Sequence, residues 1–179
     1  MNRVFGLGSA ILVPDGTIVY PFLNPFDSTS GLSSSLPNVV SMAGGLIAPR
    51  YQSKIQILPF VTQITFVSRG TLIIRMKGSG DEDVYDVCLA PQQAALTEPG
   101  TFLQLHNPSD EPCDVFYIIA PGYVFLVDDP ALPPIYDDSV VLDEDWDGLR
   151  TNDWQLSKRL PTLEDRNAAI TRIQRGTEK

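Results

Sequence analysis

Between Ser9 and Val127 the chain is a succession of short β-prone runs separated by turn residues, with almost no apolar residues at helical spacing. Ala10 to Val13, then Pro14-Asp15-Gly16, then Thr17 to Tyr20 predicts a hairpin, the Asp-Gly pair supplying the positive φ of a tight turn. Further strands are expected at Val39–Ile47, Tyr51–Leu58, Val61–Ser68, Thr71–Met76, Val84–Leu89, Phe102–His106 and Val115–Val127, the last broken at Pro121-Gly122. Even spacing of short strands implies an all-β antiparallel sandwich or barrel. Gln56, Gln63, Thr65 and Gln104 interrupt these apolar runs, and a polar residue in a strand ordinarily marks the solvated face of the pleat.

A chain of 179 residues with 43% hydrophobic content has enough apolar side chain for one sizeable core. Thirteen Lys and Arg against 22 Asp and Glu give a net charge of -9, a field that repels phosphate backbones and anionic membranes. Nucleic acid and membrane surfaces are therefore not expected partners. No run approaches the roughly 18 apolar residues of a spanning helix. The apolar run Val4–Val13 is diluted by Gly6 and Gly8 and lacks a cleavage site, so a cytoplasmic protein is expected. Cys88 and Cys113 stand alone, as free thiols in a reducing compartment do. The single histidine, His106, excludes a metal centre built on two or three imidazoles of one chain.

Composition divides the chain into a barrel, residues 1–127, and an extension, residues 128–179. The stretch 27–36 is polar and small, a surface loop or a lid over a pocket. From Asp128 to Gly148 there are eight acidic residues and no Lys or Arg, which predicts an extended segment wrapping the outside. Thr162-Leu-Glu-Asp165 is a capping-box variant opening a helix to about Gln174. Leu163, Ile170 and Ile173 would form its apolar stripe, docked on its own domain, with Arg166, Arg172 and Arg175 in solvent.

Several motifs that carry chemistry elsewhere fail here. Asp143-x-Asp145-x-Asp147-Gly148 opens like a calcium loop, but its twelfth position is Trp154 instead of a bidentate Glu. There is no Gly-x-Ser-x-Gly elbow, and Gly6-x-Gly8 precedes a strand, so neither a nucleophile elbow nor a phosphate loop is present.

The informative stretch is 44–123. It holds Gln63-Ile-Thr-Phe-Val-Ser-Arg-Gly70, then Pro99-Gly100-Thr-Phe-Leu-Gln-Leu-His-Asn107-Pro-Ser-Asp-Glu-Pro112, then Val115-Phe-Tyr117-Ile-Ile-Ala-Pro-Gly122. This resembles the cupin superfamily, whose first motif ends in a Glu separated by six residues from a Gly. Its second motif runs Pro-Gly, a His three residues on, then an Asn. The resemblance implies a jelly-roll β-barrel, often a homodimer, with a pocket in its mouth. It also shows what is missing: the Glu position falls on Gln63 and the second-motif His on Leu103. The paired first-motif His positions fall on Gln56 and Leu58, or on Ile57 and Pro59. No metal and no other cofactor is then expected, and alternation puts His106 on the face opposite Leu103.

Losing the ligands turns a charged centre into amide and hydrocarbon, which suits an organic small-molecule ligand. Gln63 and Tyr117 are the candidate catalytic residues. Gln56, Leu58, Thr65, Leu72, Ile74, Leu103 and Leu105 are the candidate substrate contacts. An unpartnered buried Gln63 would cost about 1 to 3 kcal/mol, so a bond to Gln56, Tyr117, water or ligand is expected. Three functions fit: a metal-independent isomerase, cyclase or lyase on a largely apolar biosynthetic intermediate; a binding or sensing module; or a filled barrel acting through an interface.

Overall fold

In the computed structural model, residues 6–26, 39–127 and 132–176 are described, so the Ser-rich stretch 27–36 and its lid reading lie outside them. Strands β1 (Ile11–Leu12), β2 (Ile18–Leu23), β3 (Ser41–Ile47), β4 (Gln56–Ile57), β5 (Thr62–Arg69), β6 (Leu72–Lys77) and β7 (Tyr85–Leu89) come first. They are followed by β8 (Ala94–Thr97), β9 (Phe102–His106), β10 (Cys113–Ala120), β11 (Phe125–Leu126), β12 (Tyr136–Asp137) and β13 (Val140–Val141). Helices α1 (Trp146–Thr151) and α2 (Leu163–Gly176) end the chain. One sheet runs β1-β2-β3-β10-β5-β8, a second β13-β4-β9-β6-β7, and β11 pairs with β12. All the ladders are antiparallel. This is the all-β barrel that the strand spacing predicts.

Period-2 patterning decides which side chains meet between the sheets. Val115, Tyr117 and Ile119 of β10 point inward beside Gln63, Thr65 and Val67 of β5, paired Tyr117 to Thr65 and Ile119 to Gln63. They pack with Leu72, Ile74, Met76, Leu103 and Leu105 of the second sheet in one apolar core. The expected hairpin forms, with Gly16 at φ +89° and Ile11 opposite Val19. A methyl on Gly16 would also fall 1.8 Å from the Tyr51 hydroxyl.

Several expectations are corrected. The 51–58 run is a two-residue strand, β4, preceded by an isolated bridge from Gln52 to His106. β8 goes unforeseen because Ala94 and Ala95 have little β-propensity; pairing with β5 makes it a strand. The acidic stretch is not simply extended. It contributes β12, β13 and α1, and β13 joins the second sheet on β4. The carboxylates of the calcium-like motif are used separately: Asp145 caps α1 by accepting from the Gly148 N–H at 2.7 Å, while Asp143 pairs with Lys54 and Lys158. Leu142 and Leu149 instead pack with Ile55, flanked by Trp146 and Trp154. Gln104 lies on the outer face as expected but is buried, accepting from the Trp146 indole N–H at 2.7 Å.

The capping box of α2 forms as read: the Thr162 N–H donates to Asp165 Oδ2 at 2.8 Å, and the Asp165 N–H to Thr162 Oγ1 at 3.2 Å. The stripe differs. Leu163 is 61% exposed, and the buried face is Arg166 and Ala169 with Ile170 and Ile173 partly covered. Arg166 is turned inward, not solvated, because a buried carboxylate, Asp138, lies opposite it.

Candidate functional site

A cavity of about 170 Å³ lies between the sheets. Val19, Pro21 and Leu23 of β2, Met42 and Ala43 of β3, Leu58 and Ile119 form most of its apolar wall. The β1–β2 turn contributes Asp15, and the β12–β13 segment contributes Asp137 and Ser139. Gln56, Gln63, Tyr117 and Tyr123 add to the polar lining, with Thr17, Asn24 and Ser41.

Four of the sequence-derived candidates are thus brought together on one cavity: Gln56, Leu58, Gln63 and Tyr117. The other five are not on it. Thr65, Leu72, Ile74, Leu103 and Leu105 are at most 1% exposed and fill the barrel interior beyond the cavity. The reason is volume: branched hydrocarbon at and around the lost ligand positions packs solid, and only the end lined by β2, β3 and the turns stays open.

Tyr117 owes its position to glycine. Gly45 faces Val115 across the β3–β10 ladder, and a methyl there would lie 2.5 Å from Tyr117 Cε2 and 2.8 Å from Val115 Cγ2. The ring lies over a bare stretch of β3. Tyr117 is 6% exposed, and its hydroxyl has no hydrogen-bond partner among the described residues. Burial pushes its acidity far down, and Asp15 and Cys113 push the same way. The phenol is a neutral donor throughout the physiological range. Gln63 finds a partner that the sequence reading did not name: its Nε2 donates to Thr65 Oγ1 at 3.2 Å.

The carboxyl groups are the unforeseen part. Asp15, 3% exposed, folds its side chain back so that Oδ1 accepts from Thr17 N–H (2.9 Å) and Oγ1 (2.8 Å). Its Oδ2 accepts from Gln56 Nε2 at 3.3 Å. Gln56 Oε1 in turn accepts from the Ser139 hydroxyl at 2.6 Å. Asp137 accepts from the Ser139 N–H at 2.9 Å and from the Tyr123 hydroxyl on the same oxygen, Oδ1. An Asp15–Gln56–Ser139–Asp137–Tyr123 chain therefore ties the hairpin turn to the extension. Burial raises the Asp15 carboxyl above its usual range, opposed by its bonds to Thr17. Asp137 is pushed up to about 6, chiefly by burial, with Asp138 and Asp15 adding to the rise against the bonds from Tyr123 and Ser139. A carboxyl near 6 exchanges protons at neutral pH.

In the sequence Asp15 is the Asp of a Pro-Asp-Gly turn, and Asp137 is one acid among the eight between Asp128 and Gly148. A signal for the second was present: Tyr136 before it and Val140-Val141 after it are β-prone apolar residues inside an otherwise acidic run.

The donor set does not fit a metal. The family's ligand positions hold amide or apolar side chains, and His106 lies on the strand face opposite Leu103 and Leu105. No cluster of three or more His, Cys, Asp or Glu placed to hold an ion occurs among the described residues. Asn107 of the second motif is structural: fully buried, its Nδ2 donates to the carbonyls of Ile47, Ala48 and Glu111 at 3.2, 3.1 and 2.8 Å.

No protein-family model and no curated protein sequence matches the chain. Solved structures do. The CENP-C cupin domain of Drosophila melanogaster, in complex with CAL1, aligns with TM-score 0.50 at 13% identity over 63% of this chain and 76% of that one. Oxalate oxidase aligns with TM-score 0.51 at 20% identity, over 62% of this chain and 54% of that one. CapF, solved with the inhibitor 3-isopropenyl-tropolone, aligns with TM-score 0.51 at 12% identity, over 80% of this chain but 35% of that one. At such identities the likeness speaks to fold alone. Two antiparallel sheets closing over one core, with these neighbours, make the chain a cupin-fold protein.

Proposed function

We propose that the chain is a metal-independent enzyme, an isomerase, cyclase or lyase, acting on a small, largely apolar molecule held in the cavity. The observation that carries this reading is that Tyr117 and Asp137 line one largely apolar cavity: a buried phenol whose hydroxyl has no partner among the described residues, and a carboxyl pushed up to about 6. The chemistry they support is proton transfer beside a carbonyl. Asp137 takes a proton from the carbon next to the carbonyl, the C–H electron pair becomes the enolate double bond, and the carbonyl electrons move to oxygen. Tyr117 donates its O–H to that oxygen, and Gln63 and Gln56 orient the ligand. Returning the proton at another carbon isomerises the substrate; loss of a leaving group from the enolate makes the same site a lyase.

The cavity of about 170 Å³ sets the size of the reacting part. An engineered apolar cavity of about 150 Å³ accepts benzene, so one ring is the scale. The second reading, a non-catalytic binding module, shares the cavity. The neighbours leave both open, since they include an oxidase and a domain crystallised with a protein partner.

The test is deuterium exchange. One-ring ketones incubated with the protein in D2O and followed by NMR should exchange their α-protons faster than in buffer, with a loss of about 10²- to 10⁴-fold in Asp137→Asn and about 10²-fold or more in Tyr117→Phe. Binding of the ketones without exchange would establish the module instead.

A further inference from the structure

Three aspartates are gathered where the cavity meets the extension, and among the described residues only one of them has a cation. Asp138 is held by Arg166 at 2.9 Å. Asp15 and Asp137 line the cavity and, among the described residues, receive hydrogen bonds from uncharged groups only: Thr17 and Gln56 for Asp15, Tyr123 and Ser139 for Asp137. Among the described residues, no Lys, Arg or His lines the cavity. A buried carboxylate without a counter-ion is costly, and folded proteins ordinarily compensate it. Among the described residues the protein supplies no such compensation, and Tyr117, whose buried hydroxyl has no hydrogen-bond partner among them, lines the same cavity.

We propose that the ligand of this cavity is a small organic amine, held as its ammonium ion by the Asp15 carboxylate with the Tyr117 hydroxyl accepting a second N–H, its apolar body against Val19, Met42, Leu58 and Ile119. Asp15 and Tyr117 both line the cavity, with Gln56 and Gln63 beside them in its lining. The apolar wall suits an organic cation over a hydrated inorganic one. A net charge of -9 draws cations toward the molecule and turns carboxylic acids and phosphate esters away. Asp15 as anchor leaves Asp137 free to move a proton, so the amine is the charged end of the substrate. The inference rests on the cavity being the ligand site of the enzymatic reading, and it adds the substrate's charge.

Three ligands of one shape separate the possibilities. Benzylamine, benzyl alcohol and benzoate are titrated into the full chain by calorimetry at pH 7.5. Benzylamine should bind about tenfold or more tightly than benzyl alcohol, the margin of a charge-assisted bond, and benzoate should give no heat of binding. Asp15→Asn, which keeps the acceptor for the Thr17 N–H, should abolish the preference, so that benzylamine and benzyl alcohol bind alike within the variant. The comparison within the unmodified protein needs no variant to fold. Equal or tighter binding of benzyl alcohol or benzoate would overturn the amine and leave the ketone-exchange reading standing. If none of the three binds and no ketone exchanges, both readings fall.

Discussion

Arg166 and Asp138 form a two-point ion pair between α2 and the β12–β13 connection, Nε to Oδ1 at 2.9 Å and Nη2 to Oδ2 at 3.0 Å, with side chains 9% and 0% exposed. The same carboxylate accepts from the Val124 N–H and the Tyr136 hydroxyl, and Arg166 also donates to the Gly122 carbonyl at 2.7 Å. One side chain of the terminal helix thus fixes the residue next to Asp137. Removing only the guanidinium strands a buried charge. Arg166→Met is expected to lower the unfolding free energy by about 3 to 5 kcal/mol, and Arg166→Met with Asp138→Asn to lower it less than the single change does. Urea denaturation of the three proteins measures this. A single-variant loss below about 1 kcal/mol would show that the helix is not anchored here.

Gly45→Ala tests the seat of Tyr117. The added methyl meets the Tyr117 ring at 2.5 Å and Val115 at 2.8 Å, so the ring must move toward the cavity. Overpacking of this kind costs about 1 to 3 kcal/mol. Thermal unfolding reads the cost, and ketone exchange reads the displacement. Stability and exchange both unchanged would mean that the ring does not depend on the bare strand.

A chelator should leave the protein as it is. A metal held in the family's position and present at about 100 times its dissociation constant stabilises by about 2.7 kcal/mol. Its removal would lower Tm by roughly 5 to 10 °C in a chain of this size. With Gln63, Leu103 and Gln56 at or near the ligand positions, Tm in EDTA is expected to equal Tm in calcium- and zinc-supplemented buffer within about 1 °C. Differential scanning calorimetry decides it.

What the sequence disclosed follows from which signals are local. Strand periodicity is local, and β5, β9 and β10 fall where their alternation put them. The second motif points to Leu103 and Asn107, and the first to Gln63 and, in one of its two registers, to Gln56; Gln56 and Gln63 line one cavity with Tyr117. Long-range pairing is not local. Nothing within a helical turn of Arg166 announces Asp138, 28 positions away, so its apolar neighbours alone shaped the expected stripe. Asp15 and Asp137 likewise become partners through Gln56 and Ser139 only when the barrel closes. The turn chemistry that made Asp15 easy to assign also hid it, since its side chain does two jobs.

Asp137 gives the site a pH signature whose sign is fixed. Its folded-state carboxyl is pushed up to about 6 from an ordinary value of 3.8, so between those values the native state holds more protons than the unfolded chain. Stability therefore falls as pH rises from about 4 to 6 and levels off above, a loss of up to about 3 kcal/mol from this group. Asp15 is shifted in the same direction and steepens the slope. Asp137→Asn should flatten the profile over that window and leave the variant at least as stable as the parent at pH 7, while Asp15→Asn should lessen the fall further. Urea midpoints taken from pH 4 to 8 measure both. A parent protein whose stability rises across the window would mean that Asp137 is ionised and compensated in the fold, which would remove it as the proton carrier of the site.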